Sequence, residues 1–157
     1  MTTREPDDNP SVRFPPPLIY ALAVIAGVLL ERRWSLPIGT AVLRPMLAWL
    51  LSAGFLLLMV SSVGTFRRKR TSFLPFRPAT TLVIAGPYRY TRNPMYVAAA
   101  ALTIAFGLWL NTWWPIVLLI PTLAIVWYYV IAREESYMRR RFGAEYDTYT
   151  KQVRRWL

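Results

Sequence analysis

Residues 96–132 read YVAAAALTIAFGLWLNTWWPIVLLIPTLAIVWYYVIA, and this stretch carries no charged residue. It is too long for one buried helix of a small globule and long enough for two membrane-crossing helices. Asn111-Thr112 is its polar interruption, with Pro115 just beyond, so it reads as a helical hairpin over about 96–110 and 113–132. Proline is tolerated in the first turn, whereas Pro121 lies in the body of the second helix and is expected to kink it.

Outward from the hairpin, the same apolar character recurs. Over half of the 157 residues are apolar, grouped in blocks, as in an integral membrane protein rather than a soluble domain. Residues 38–63 supply another helix, with Ser52, Ala53 and Gly54 suited to close helix contact. Residues 18–34 supply a first, short one. The expected fold is therefore all-α and integral to the membrane, with four transmembrane helices at about 18–34, 38–63, 96–110 and 113–132. Residues 1–17, rich in proline, read as a flexible tail, and 18–157 as one domain.

Charge sets the orientation. Of nineteen Lys and Arg, sixteen fall in the tail, in residues 64–95 and in residues 133–157; the remaining three are Arg32, Arg33 and Arg44. Cytoplasmic loops collect basic residues, so both termini and both long polar segments belong on the cytoplasmic side. A net charge of +11 is accounted for by this bias and by anionic lipid, and nucleic-acid binding is not expected. With neither Cys nor His in the chain, thiolate and imidazole chemistry and the usual metal sites are excluded. No metal is expected.

The two polar segments carry the candidate chemistry. The first contains Gly86-Pro87-Tyr88-Arg89-Tyr90-Thr91-Arg92-Asn93-Pro94-Met95-Tyr96, a basic, aromatic run whose prolines force a folded loop. Thr80-Thr81-Leu82-Val83-Ile84 before it is β-prone and expected to run extended. The second opens on Glu134-Glu135, directly after the apolar hairpin, in a helix expected over 134–141 and ended by Phe142-Gly143. Tyr146, Tyr149, Val153 and Trp156, spaced three, four and three apart, then mark a second short amphipathic helix. Adjacent helical residues point about 100° apart, so one glutamate can face a ligand while the other pairs with an arginine such as Arg89 or Arg92. The plainer alternative is that the basic loop fixes topology and the glutamates open a solvated helix.

The loop resembles the GPYRYxRHPxY segment of the isoprenylcysteine carboxyl methyltransferase and phospholipid methyltransferase superfamily. Glu134-Glu135, Phe142-Gly143, Tyr146, Tyr149 and Val153-Arg154-Arg155-Trp156-Leu157 follow in the same order. The resemblance implies a small prokaryotic-type member, in the inner membrane, that binds S-adenosylmethionine at its cytosolic face. It further implies that Thr81, Leu82, Val83, Tyr88, Arg89, Asn93, Pro94, Met95, Tyr96, Glu134 and Glu135 line the cofactor site. Glu134, Arg92 and Asn93 are implied as the catalytic set. The methyl acceptor is implied to be lipophilic or membrane-partitioning, with a carboxylate, amine or thiol as its reacting group. Asn93 stands where the family has His and cannot titrate near neutral pH. Membrane sterol reductases, which use NADPH, have a similar C-terminal region and form an alternative. A non-enzymatic lipid-binding protein is another.

Overall fold

A computed structural model describes residues 15–69, 71 and 80–156. The expected tail falls almost wholly outside these residues. The protein is helical, and among the described residues there is no strand; Thr91 and Arg154 form an isolated parallel bridge.

Helix α1 (Pro16–Arg33) opens on two prolines, which lack the N–H that a first helical turn leaves unpaired anyway. Helix α2 runs Leu43–Arg68, displaced five residues toward the C-terminus from the expected 38–63. The physical reason lies at the tip of the hairpin. There the Trp113 amide donates to Leu36 O at 3.0 Å and the Gly39 amide to Asn111 Oδ1 at 3.1 Å. The Trp114 indole also donates to Trp34 O at 2.7 Å. With these groups satisfied across the hairpin, residues 35–42 have no need of a helical turn. At its other end α2 continues past the apolar stretch, and Arg67 and Arg68 sit in its last turn, where its dipole favours cations.

Helices α3 (Pro94–Trp109) and α4 (Trp114–Ile125) form the hairpin. Residues Val126–Ile131 then wind as a π-helix, and α5 (Ala132–Phe142) follows without a break. The expected fourth helix and its polar sequel are thus one rod of 29 residues, Trp114–Phe142. It passes through Pro121 and ends at Gly143, whose φ is +50°. A short helix α6 (Ala144–Gln152) turns back.

Two of these helices, Leu43–Arg68 and Trp114–Phe142, are long and apolar enough to cross a membrane. Only 11% of the most apolar stretch of α2 is buried against the rest of the chain, so its outer surface needs an apolar solvent. α2 packs along α3, and α1 packs on α4 and α3, but α1 and α2 do not pack along each other. α3 therefore forms the floor of a groove with α1 and α2 as its walls.

Small residues permit the close approaches, though Ala53 and Gly54 are not among them. Gly54 has nothing within 4 Å of where a Cβ would stand, and Ala53 is exposed. Fully buried Ala48, Ala98 and Ala105 lie instead on α2 and α3. At Gly27 of α1 a Cβ would stand 2.9 Å from both Cγ and N of Pro115 at the start of α4. A proline ring cannot swing aside, so Gly27→Ala is expected to destabilise by about 1–3 kcal/mol. Gly54→Ala should be neutral or slightly stabilising. Thermal unfolding of the two variants in detergent checks both.

Candidate functional site

The polar end of the bundle is assembled from three segments distant in sequence: the loop after residue 80, the start of α5 and residues 153–156. The loop begins extended, with Leu82 and Val83 buried and Thr81 exposed. Leu82 packs with Tyr146 and Tyr149 of α6 in a small apolar cluster, rather than pairing with another strand. The chain then turns at Gly86, where φ is +59° and a Cβ would meet Thr65 Oγ1 at 2.6 Å. The turn Gly86–Arg89 is a single 3₁₀ turn. It buries Tyr88, whose ring meets Phe66 edge-on at 5.3 Å. The Tyr149 hydroxyl donates to Tyr88 O at 2.7 Å. Burial raises the phenol pKa of both Tyr88 and Tyr149, so both remain protonated donors at neutral pH.

Beyond the turn the loop meets the C-terminal strand of chain, residues 153–156, which lies across it as a strap. The Arg92 amide donates to Arg154 O at 2.9 Å. Thr91 Oγ1 donates to Arg155 O at 3.2 Å and Asn93 Nδ2 to the same carbonyl at 2.9 Å. Trp156 stacks on Trp127 with centroids 6.3 Å apart, and it packs against the main core.

The two glutamates of α5 diverge, as adjacent helical residues must. Glu135 is buried and takes three charge-assisted hydrogen bonds: Arg92 Nη1 at 2.9 Å, Arg155 Nε at 2.9 Å and Arg155 Nη2 at 2.6 Å. Arg92, not Arg89, is the loop's partner to the glutamate pair. Arg92 Nε is buried and makes no hydrogen bond within the usual distance among the described residues. Glu134 points the other way and accepts the Tyr96 hydroxyl at 2.6 Å. Tyr20 of α1 in turn donates to Tyr96 O at 3.3 Å.

Glu134 closes the polar end of the groove between α1 and α2. That cavity, about 630 Å³, is otherwise lined almost entirely by apolar side chains, among them Val24, Phe55, Met59, Met95 and Leu102. The structure thus gathers Met95, Tyr96 and Glu134 at the groove and places Arg92, Asn93 and Glu135 under the strap. Pro94 is buried at the start of α3 between the two groups. Arg89 faces a separate cavity of about 620 Å³ beside Glu145, Tyr149 and Gln152. Tyr90 is 78% exposed and lines neither of these cavities.

Sequence reasoning assigned no role to Tyr20 or Trp127, and it treated Arg155 only as part of a terminal motif. Tyr20 was detectable as the lone polar tip in the apolar run of residues 18–30. Nothing local marks Arg155 among its basic neighbours; only its partner across the fold does.

The two glutamates should separate by stability. Glu135→Gln leaves two partly buried guanidinium groups facing a neutral amide, and a loss of about 3 kcal/mol is expected. Glu134→Gln retains an acceptor for Tyr96 and should cost less than about 1 kcal/mol. Unfolding of both variants in the same detergent measures the difference.

Comparison with known proteins agrees with this geometry. An uncharacterized protein of Haemophilus influenzae is 36% identical over 66 residues, covering 40% of this chain and 100% of that protein. No solved structure matches. Residues 43–145 match the phospholipid methyltransferase family, from the first residue of α2 to the first turn of α6, leaving α1 and the strap outside the match. Two apolar helices of membrane-crossing length, a polar site at one end and a match over most of its length place the chain in the phospholipid methyltransferase family.

Proposed function

We propose that this protein is an integral-membrane, S-adenosylmethionine-dependent methyltransferase whose acceptor is a lipophilic molecule held in the groove between α1 and α2. One observation carries the reading. An apolar cavity of about 630 Å³ ends at the carboxylate of Glu134, which Tyr96 orients. An apolar tail would occupy the groove and a polar head would meet Glu134 at its rim.

The residues present fit the cofactor. Its amino-acid carboxylate suits a guanidinium, and Arg92, partly buried beneath the strap, is the arginine of the motif that reaches the glutamate pair. Its sulfonium and hydroxyl groups suit a carboxylate flanked by aromatic rings, here Glu134 with Tyr88 and Tyr96. When bound, S-adenosylmethionine supplies an already activated methyl group, so the protein needs to position reactants rather than furnish a nucleophile. Tyr96 holds Glu134 Oε1, leaving Oε2 for a ligand. That oxygen would bind an acceptor ammonium and take its proton, which favours an amine over a carboxylate, since the latter would face a like charge. Asn93 is engaged with Arg155 O, so its part in this reading is to hold the strap rather than to act as a base.

The same reading places four helices across the membrane as one domain, with the glutamates, both termini and the strap on the cytoplasmic side of a prokaryotic inner membrane. Because the chain lacks Cys, single substitutions report the orientation. Lys151→Cys should react with an impermeant thiol reagent only from the cytoplasmic side, and Val42→Cys only from the opposite side. Labelling of both from one side would refute the topology.

Calorimetric titration of S-adenosylmethionine into detergent-purified protein tests the cofactor. Binding by the wild type is expected, weakened about tenfold in Glu134→Gln through loss of one charge-assisted contact. Absence of binding by the wild type would overturn the proposal. Equal binding by the variant would remove Glu134 from the cofactor site and leave it to the acceptor. A radiolabelled-methyl assay on single-chain amines and their carboxylate analogues then decides the acceptor, with the amines expected to be methylated.

A further inference from the structure

The rod Trp114–Phe142 has a second outward face that the groove does not use. Where its apolar run ends, Trp127 and Tyr128 stand 38% and 77% exposed. They are followed by Ala132, Glu135, Ser136, Arg139 and Arg140, and with Arg155 of the strap these line a cavity of about 350 Å³. Glu134 does not line this cavity, and no residue of α1, α2 or α3 does, so it is separate from the groove. Aromatic rings at the end of an apolar run followed by arginines match the change in polarity at a membrane surface.

The charges around the cavity do not balance. Arg140 Nη1 donates to a neutral partner, Ser136 Oγ, at 2.9 Å. Arg139 has an exposed ion pair of 3.3 Å with Asp147, of the kind that contributes little. Arg155 commits Nε and Nη2 to Glu135 and lies 4.5 Å over the Trp127 ring. Its Nη1 is not part of that pairing. Glu135 divides its single charge between Arg155 and Arg92. Of the charged residues lining the cavity, three guanidinium groups, Arg139, Arg140 and Arg155, face one carboxylate, Glu135.

We propose that this cavity binds the phosphodiester headgroup of an anionic phospholipid, with Arg139, Arg140 and Arg155 as its donors and Trp127 and Tyr128 against the acyl chains. Arginine forks match phosphate oxygens. The neighbouring aromatic surface distinguishes a lipid from a soluble anion, which has no apolar part to bury. A bound headgroup would also give Arg155 additional acceptors and so steady the strap. The inference does not rest on the methyl-transfer reading, and its test measures lipid alone.

The test is native mass spectrometry of the full-length protein in detergent with equal amounts of phosphatidylglycerol and phosphatidylcholine. Wild type is expected to retain phosphatidylglycerol preferentially, and Arg139→Gln/Arg140→Gln to lower that preference about tenfold. Lys151→Gln, the loss of one positive charge on α6 outside the cavity, should leave it unchanged. In a second measurement, brominated phosphatidylglycerol should quench tryptophan fluorescence more in the wild type than in Trp127→Phe. Unaltered preference in the double variant, an equal loss in Lys151→Gln, or quenching indifferent to Trp127 would overturn the proposal. So would displacement of the lipid by inorganic phosphate at equal concentration, which would assign the arginines to a soluble anion.

Discussion

The carboxylate of Glu135 is the point on which the polar end of this protein depends. Its side chain is 9% exposed and lies between Arg92, 13% exposed, and Arg155, 29% exposed. Removing a carboxylate from water is costly, and the cost is met only when its oxygens are fully engaged. Three hydrogen bonds from two guanidinium groups do this. Each partner comes from a different segment, so the interaction cannot form unless the loop, α5 and the strap are all in place. Two positive charges around one negative also leave a local excess of positive charge.

The groove follows from a different constraint, the unequal packing of the helices. α2 follows α3 and α1 follows α4, and Gly27 lets α1 sit directly on the first turn of α4. Neither wall helix packs along the other, so the floor between them is accessible from the side. Because Glu134 and Glu135 are adjacent on one helix, pinning Glu135 under the strap turns Glu134 toward that floor. The ion pair beneath the strap and the apolar groove are thereby coupled through the rotation of a single helix. The π-helical turns at Val126–Ile131 immediately precede it and contribute to its phase.

Much of this was legible beforehand. The uncharged run over 96–132 implied a hairpin, the glutamate pair implied divergent roles, and the ordered motifs implied the family. Other features were not legible, for identifiable reasons. The start of α2 moved because backbone groups of residues 34–39 found partners on Trp113, Asn111 and Trp114, and apolar periodicity carries no information about such distant bonds. Of the small residues expected to bring helices together, Gly54 faces open space, while Gly27, not singled out, faces Pro115. Local composition shows which residues permit close approach but not which surface meets another. Arg89 and Arg92 were equivalent candidates in sequence; the 3₁₀ turn at Gly86–Arg89 sends the first outward and leaves the second facing Glu135.

By itself the sequence determined the helical class, the polar and apolar ends of each helix and the chemical groups available, because these depend on composition and on periodicity along the chain. Only the tertiary structure decided which glutamate faces the groove, which arginines hold the other, and that Asn93 secures the strap through Arg155 O. Those assignments depend on contacts between residues 20 to 62 positions apart, and such contacts are set by the docking of whole helices rather than by any local pattern.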